Sequence, residues 1–229
     1  MLITRRRSPP AIPIPSIHLD GLVLPLQPAV TILGIEIDCN LTFTNHVKKT
    51  ATKAAGRLNC VRRVSHLLDA RGVTSLYAAQ VRSVMEYAPL TWSSCPPSYL
   101  GLLDKVQDRA RRLITTRGRP DEVVPSLQPL QHRRDVAGLC ATYKVHREGA
   151  PHLSALRQPW ATPHPHGTRD AHTGEQLTVP FARTETFLRS FVPRYTRLWN
   201  TVVKNSDIHM APTLQKFKSD ANKWLIQCV

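Results

Sequence analysis

Ile32-Leu33-Gly34-Ile35-Glu36-Ile37-Asp38 decides the reading of this chain, because it runs almost directly into a long amphipathic stretch. The β-branched residues and the alternation of apolar with acidic positions read as a short, buried strand. Beyond it there is no acid until Asp69. The only lysines and arginines between are Lys48, Lys49, Lys53, Arg57, Arg62 and Arg63. At 100° per residue, Val47, Ala51, Ala54, Leu58 and Val61 fall within an arc of about 80°, and Lys49, Lys53 and Arg57 within a neighbouring arc of about the same width. Solvated helix faces usually mix both signs of charge. A helix that buries one face and turns only positive charge outward is suited to a polyanion, and nucleic acid is the regular polyanion.

Composition agrees with that start. Among 229 residues, 31 Lys and Arg stand against 16 Asp and Glu, a net charge of +15 that favours acidic partners. Hydrophobic residues make up 41%, enough for a core. The five cysteines, Cys39, Cys60, Cys95, Cys140 and Cys228, are odd in number and far apart, which fits a reducing, intracellular setting, nucleus or cytoplasm. No apolar run reaches membrane-span length, and the first residues do not read as a signal peptide.

Outward from the opening stretch, five segments are expected: a β element over 1–40, a helical bundle over 41–120, a connecting helical segment over 121–156, a mobile loop over 157–181 and a helical segment over 182–229. In the first, Leu2-Ile3-Thr4 reads as a strand and the prolines up to Pro15 as an extended edge or linker. Leu22-Val23-Leu24 and Val30 to Ile37 read as paired strands joined through Pro25 to Pro28. In the bundle, one helix opens near Thr42 as N-cap and a second runs from about Val73 to Tyr87 behind Gly72. A third follows Pro96-Pro97-Ser98, burying Leu100, Leu103, Val106, Ala110, Leu113 and Ile114 and exposing Lys105, Arg109, Arg111 and Arg112. Short links make these helices pack antiparallel or as a compact bundle. A turn at Val123-Val124-Pro125 precedes a helix through Leu130, Val136, Leu139 and Tyr143. Near the end, Arg194 and Arg197 interleave with Tyr195 and Trp199. That spacing reads first as core, with a base-stacking platform as the alternative.

Catalytic chemistry is hard to find. There is no phosphate-binding glycine loop, dinucleotide fingerprint or nucleophile elbow. His164, His166 and His172 are close in sequence but lack cysteine pairs at ligand spacing. Two-metal phosphoryl transfer needs clustered carboxylates. Only Asp121-Glu122 are adjacent, and Glu36 with Asp38 read better as solubilising acids on a strand edge. No catalytic residue, metal ligand or small-molecule substrate is expected.

Six motifs in order carry a resemblance. They are Ile-Leu-Gly-Ile-Glu-Ile-Asp (32–38), Leu-Thr-Phe-Thr-Asn-His-Val (41–47), Met-Glu-Tyr-Ala-Pro-Leu-Thr-Trp (85–92), Leu-x-Lys-Val-Gln-Asp-Arg-Ala-x-Arg-Leu-Ile (103–114), Leu-Gln-His-Arg-Arg (130–134) and Pro-Arg-Tyr-Thr-Arg-Leu-Trp-Asn (193–200). Together they resemble the carboxy-terminal part of a non-LTR retrotransposon reverse transcriptase of the jockey-like LINE type. The resemblance implies a mainly α fold with a small N-terminal β element: a truncated palm hairpin, then a thumb-like helical bundle and further helices. It makes Ile32, Leu33 and Gly34 the primer grip. It makes Lys48, Lys49, Lys53, Arg57, Arg62, Arg63, Lys105, Arg109 and Arg112 contacts to the phosphates of an RNA–DNA or DNA duplex. The family's catalytic Asp-Asp turn has no counterpart here, so the chain is expected to be inactive alone, to need no cofactor itself (the complete family enzyme uses magnesium) and to have the missing catalytic part of the polymerase as a partner. The alternatives are a standalone basic helical module for nucleic-acid or protein contact, and a non-functional relic reading frame.

Overall fold

In the computed structural model, residues 1, 3, 16–118, 126–162 and 175–227 are described. Leu2, Thr4 to Pro15, Arg119 to Pro125 and His164, His166 and His172 lie outside them, with the expectations that fall there. The fold is mainly helical with a small N-terminal β element. Among the described residues no helix is long and apolar enough to cross a membrane.

The β element is two separate antiparallel hairpins. β1 (Ile17–Leu19) pairs with β2 (Leu22–Leu24), and β3 (Ala29–Ile32) with β4 (Ile35–Asp38). This corrects the expected pairing across Pro25 to Pro28. Two-residue turns decide it: Asp20 and Gly21, then Leu33 and Gly34, all have positive φ, as a type I′ hairpin turn requires. The turn also breaks the opening motif, so Ile35 is its only fully buried residue.

β4 hands the chain to α1 (Thr44–Val64) through a capped corner. The expected cap at Thr42 is displaced: Phe43 occupies the N-cap position at φ 56° with no side-chain cap. Asp38 takes over, accepting from the backbone N–H groups of Asn40, Thr42 and Phe43 and from the Thr42 hydroxyl. Burial alone pushes its carboxyl pKa up, but these bonds outweigh burial and hold it below the ordinary value.

Three long elements build the first core. α2 (Ala70–Leu76) starts earlier than expected, with Gly72 inside its first turn, because Asp69 caps it by accepting from the Gly72 N–H at 2.7 Å. It continues as a π-helical stretch (Tyr77–Arg82) and α3 (Ser83–Met85). After α4 (Pro89–Trp92) comes α5 (Pro97–Arg117). Within this bundle α1 and α5, which are not consecutive, run parallel: the Lys48 amine lies over the Tyr99 ring near both starts, and Arg117 donates to Ser65 near both ends. The α2–α3 element returns between them. Val47, Ala54, Leu58, Val73, Tyr77, Met85, Trp92, Leu103 and Ile114 fill the interior.

A second core forms around α6 (Leu130–His146), expected only as part of a connecting segment. α8 (Phe191–Asn205) and α9 (Leu214–Gln227) complete it, and the short α7 (Glu185–Arg189) precedes α8 without a buried residue. Tyr195 and Trp199 are wholly buried, so they are core residues and not a stacking platform. Arg194 is held by Asp135 through two nitrogens, and Arg197 donates to the Leu188 and Pro193 carbonyls.

The expected mobile loop is pinned at both described ends. Trp160 and Leu177 form an antiparallel bridge, and Leu177 is 1% exposed. Asn200 on α8 brackets it: its Oδ1 accepts from the Leu177 N–H and its Nδ2 donates to the Leu177 carbonyl, both at 2.8 Å. Asn200→Leu leaves both buried backbone groups unpaired. A loss of about 2–6 kcal/mol is expected in urea denaturation, at about 1–3 for each group, and an unshifted midpoint would show that the bracket is dispensable.

Candidate functional site

The β3–β4 turn projects beside the exposed flank of α1. Leu33 has φ 48° and is 84% exposed. The left-handed region costs a non-glycine residue about 1–2 kcal/mol, and no burial of the Leu33 side chain offsets it. The Tyr87 hydroxyl holds the turn instead, donating to the Leu33 carbonyl at 2.9 Å. Gly34 follows at φ 81°, and the Tyr87 ring would lie 3.7 Å from a side-chain carbon placed there.

Between this turn and α1 lies a groove of about 710 Å³. Leu33, Gly34, Glu36, Lys49, Lys53, Arg57 and Tyr87 all line it. Two groups of residues singled out for different reasons, the Leu33-Gly34 turn and the Lys49, Lys53, Arg57 face, therefore bound one space. In the sequence, only its place before Ala88-Pro89, within the 85–92 motif, sets Tyr87 apart.

The three cations are not equivalent. The Lys49 amine meets the Glu36 carboxylate at 2.6 Å, although its side chain is 74% exposed. Glu36 is thus a partner of the basic face and not a solubilising bystander. Arg57 donates to the Gln80 carbonyl at 3.0 Å, within the π-helical stretch. Lys53 is exposed and meets no carboxylate among the described residues. His46 is buried behind this face and accepts from the Glu36 N–H through Nδ1. Burial, with help from Lys49 and against Glu36, lowers its pKa, which keeps that nitrogen unprotonated and able to accept.

The remaining candidates lie elsewhere. By helical position Lys48 and Arg62 sit on the opposite flank of α1, toward α5. Lys105, Arg109 and Arg112 are exposed on α5, and Arg63 near the end of α1. The structure therefore separates the nine expected phosphate contacts and leaves three of them in the groove. Ile32 is half-exposed at the end of β3, next to the turn and outside the groove lining.

No family model, curated protein or solved structure matches this chain. The geometry therefore stands alone. A magnesium ion does not fit the one strand-borne acid pair among the described residues: the Glu36 carboxylate is taken by Lys49, and both Asp38 oxygens already accept hydrogen bonds. Among the described residues no group of three His, Cys, Asp or Glu could hold a metal. What the groove can do is bind. It offers cations along one wall and an exposed, strained apolar turn along the other.

Proposed function

We propose that this chain is the duplex-holding, carboxy-terminal part of a reverse transcriptase of the non-LTR, jockey-like LINE type. It grips an RNA–DNA or DNA duplex through phosphates and leaves nucleotide addition to carboxylates in the catalytic part of the polymerase. The observation that carries the reading is the shared groove, where the turn assigned to the primer grip faces the Lys49, Lys53 and Arg57 flank. Strain at an exposed position such as Leu33 is the kind that persists where it serves a site. Phosphate contacts position a duplex without reading its sequence, so binding should be indifferent to sequence and steeply salt-dependent.

The test is fluorescence anisotropy with a labelled RNA–DNA hybrid and two unrelated DNA duplexes across a salt series. Equal affinities and a steep negative salt slope are expected; binding that survives molar salt would overturn the reading. Glu36→Gln sharpens it. That change releases Lys49 from its only carboxylate, so duplex affinity should rise about two- to fivefold at low salt, with the slope steepening by up to about one unit. Stability should change by no more than about 1 kcal/mol, since the lysine of the pair is mostly in solvent. Affinity that falls in this variant would place the duplex elsewhere.

The standalone basic module remains the second reading. Two separately filled cores, each with a wholly buried tryptophan, favour a chain that folds without a partner.

A further inference from the structure

A second cleft, of about 680 Å³, opens where α4, α6 and α9 meet. It shares no lining residue with the duplex groove. Its walls are apolar along Val136, Ala137, Cys140 and Ala141 of α6 and Leu214 of α9, and its size is that of a small-ligand site.

The charge in it is uneven. Its one acid, Glu86, is already engaged by Arg133 through two nitrogens. Arg134, Lys144 and Lys218 also line it, and none meets a carboxylate within ion-pair distance among the described residues. Arg134 is the telling one, because it is only 3% exposed. Its Nε donates to Gln131 at 3.1 Å and its guanidinium stands 6.0 Å from the centre of the Trp92 ring. Asp104 and Asp135 act on it from beyond contact distance, and Asp135 is spent on Arg194. A buried guanidinium without a carboxylate is costly to keep, and an apolar side chain of equal size would usually serve the fold as well or better. Lys144 and Lys218 both line the cleft, and both bear on the Cys140 thiol, whose pKa burial raises and they lower.

We propose that this cleft binds a small phosphate-bearing molecule of mononucleotide size. Arg134 anchors the phosphate, the amines of Lys144 and Lys218 neutralise its second charge, and the apolar α6 wall carries the organic body. Three unpaired cations suit a phosphomonoester dianion better than a single carboxylate, and a guanidinium fork matches phosphate oxygens in pairs.

The experiment uses the full chain, with adenosine monophosphate as probe and adenosine as its uncharged control, read by calorimetric titration and by melting temperature. Adenosine monophosphate should bind and raise the melting temperature, while adenosine does neither. Arg134→Met keeps the volume and removes the charge. It should weaken the nucleotide about tenfold or more while the unliganded protein melts at the same temperature or higher. Lys144→Ala with Lys218→Ala, one half-buried and one exposed, should weaken it severalfold without disturbing the fold. The Lys49, Lys53, Arg57 triple alanine variant should bind it as the parent does, which separates this site from the duplex groove. Equal binding of adenosine, undiminished binding by Arg134→Met, or loss of binding in the triple variant would each overturn the proposal. So would an Arg134→Met protein that melts well below the parent while the nucleotide leaves the parent unchanged, since Arg134 would then serve Trp92 and not a ligand.

Discussion

Replacing Lys49, Lys53 and Arg57 together by alanine should flatten the salt dependence of duplex binding by about two to three units and cost roughly ten- to a hundredfold in affinity at physiological salt. Each phosphate contact releases close to one counterion, so three lost contacts bound the change in slope. The structure also ranks the single variants. Lys49 must leave Glu36 to reach a phosphate, and Arg57 must leave the Gln80 carbonyl. Lys53 has no carboxylate to leave, so Lys53→Ala should cost most. The contrast is Lys105, Arg109 and Arg112 on α5, exposed but outside the groove. Their triple alanine variant should leave the slope within about one unit of the parent, because only incidental contacts are lost. If the α5 variant flattens the slope and the α1 variant does not, the duplex lies on the other side of the bundle and the groove reading fails.

That ranking shows where sequence reasoning stops. The stripe Val47, Ala51, Ala54, Leu58 and Val61 was legible because burial follows the 3.6-residue period, and all five are buried. On α5, Leu100, Leu103, Val106, Ala110 and Ile114 are buried for the same reason. Partner choice has no period. Lys49 finds an acid 13 residues back on a strand, which needs the β4–α1 corner that Asp38 builds. The hairpin at Leu33-Gly34 was hidden because leucine is a poor turn residue at positive φ; only the glycine beside it gave a signal. Leu177 alternates with Val179 and Phe181, and nothing local says that Asn200 will draw only the first of them into the core. The cleft needed the second core assembled, since α6 supplies one wall and α9 the other.

Gly138→Ala should destabilise the second core by about 3 kcal/mol or more, against the usual sign of such a change. In an exposed helix, alanine is favoured over glycine by about 1 kcal/mol. Here a β-carbon on Gly138 would stand 2.1–2.4 Å from three ring carbons of Tyr195. That ring cannot simply retreat: it is wholly buried, packs 5.1 Å from the Phe191 ring centre, and its hydroxyl donates to the Arg134 carbonyl at 3.2 Å. α6 and α8 must therefore part, at an overpacking cost that exceeds the helix-propensity gain. Urea denaturation followed by circular dichroism should give an earlier midpoint. Tyr195→Leu supplies the mechanistic check. Alone it opens a cavity and destabilises; combined with Gly138→Ala it makes room for the new methyl, so the double variant should be more stable than the two single losses added together. Strict additivity would mean that the two residues do not press on each other. The effect should reach the site as well. Arg134 lies one turn from Gly138 on α6, so the variant should lose its hold on adenosine monophosphate while the duplex groove, built from β3, β4, α1 and Tyr87, keeps its salt slope.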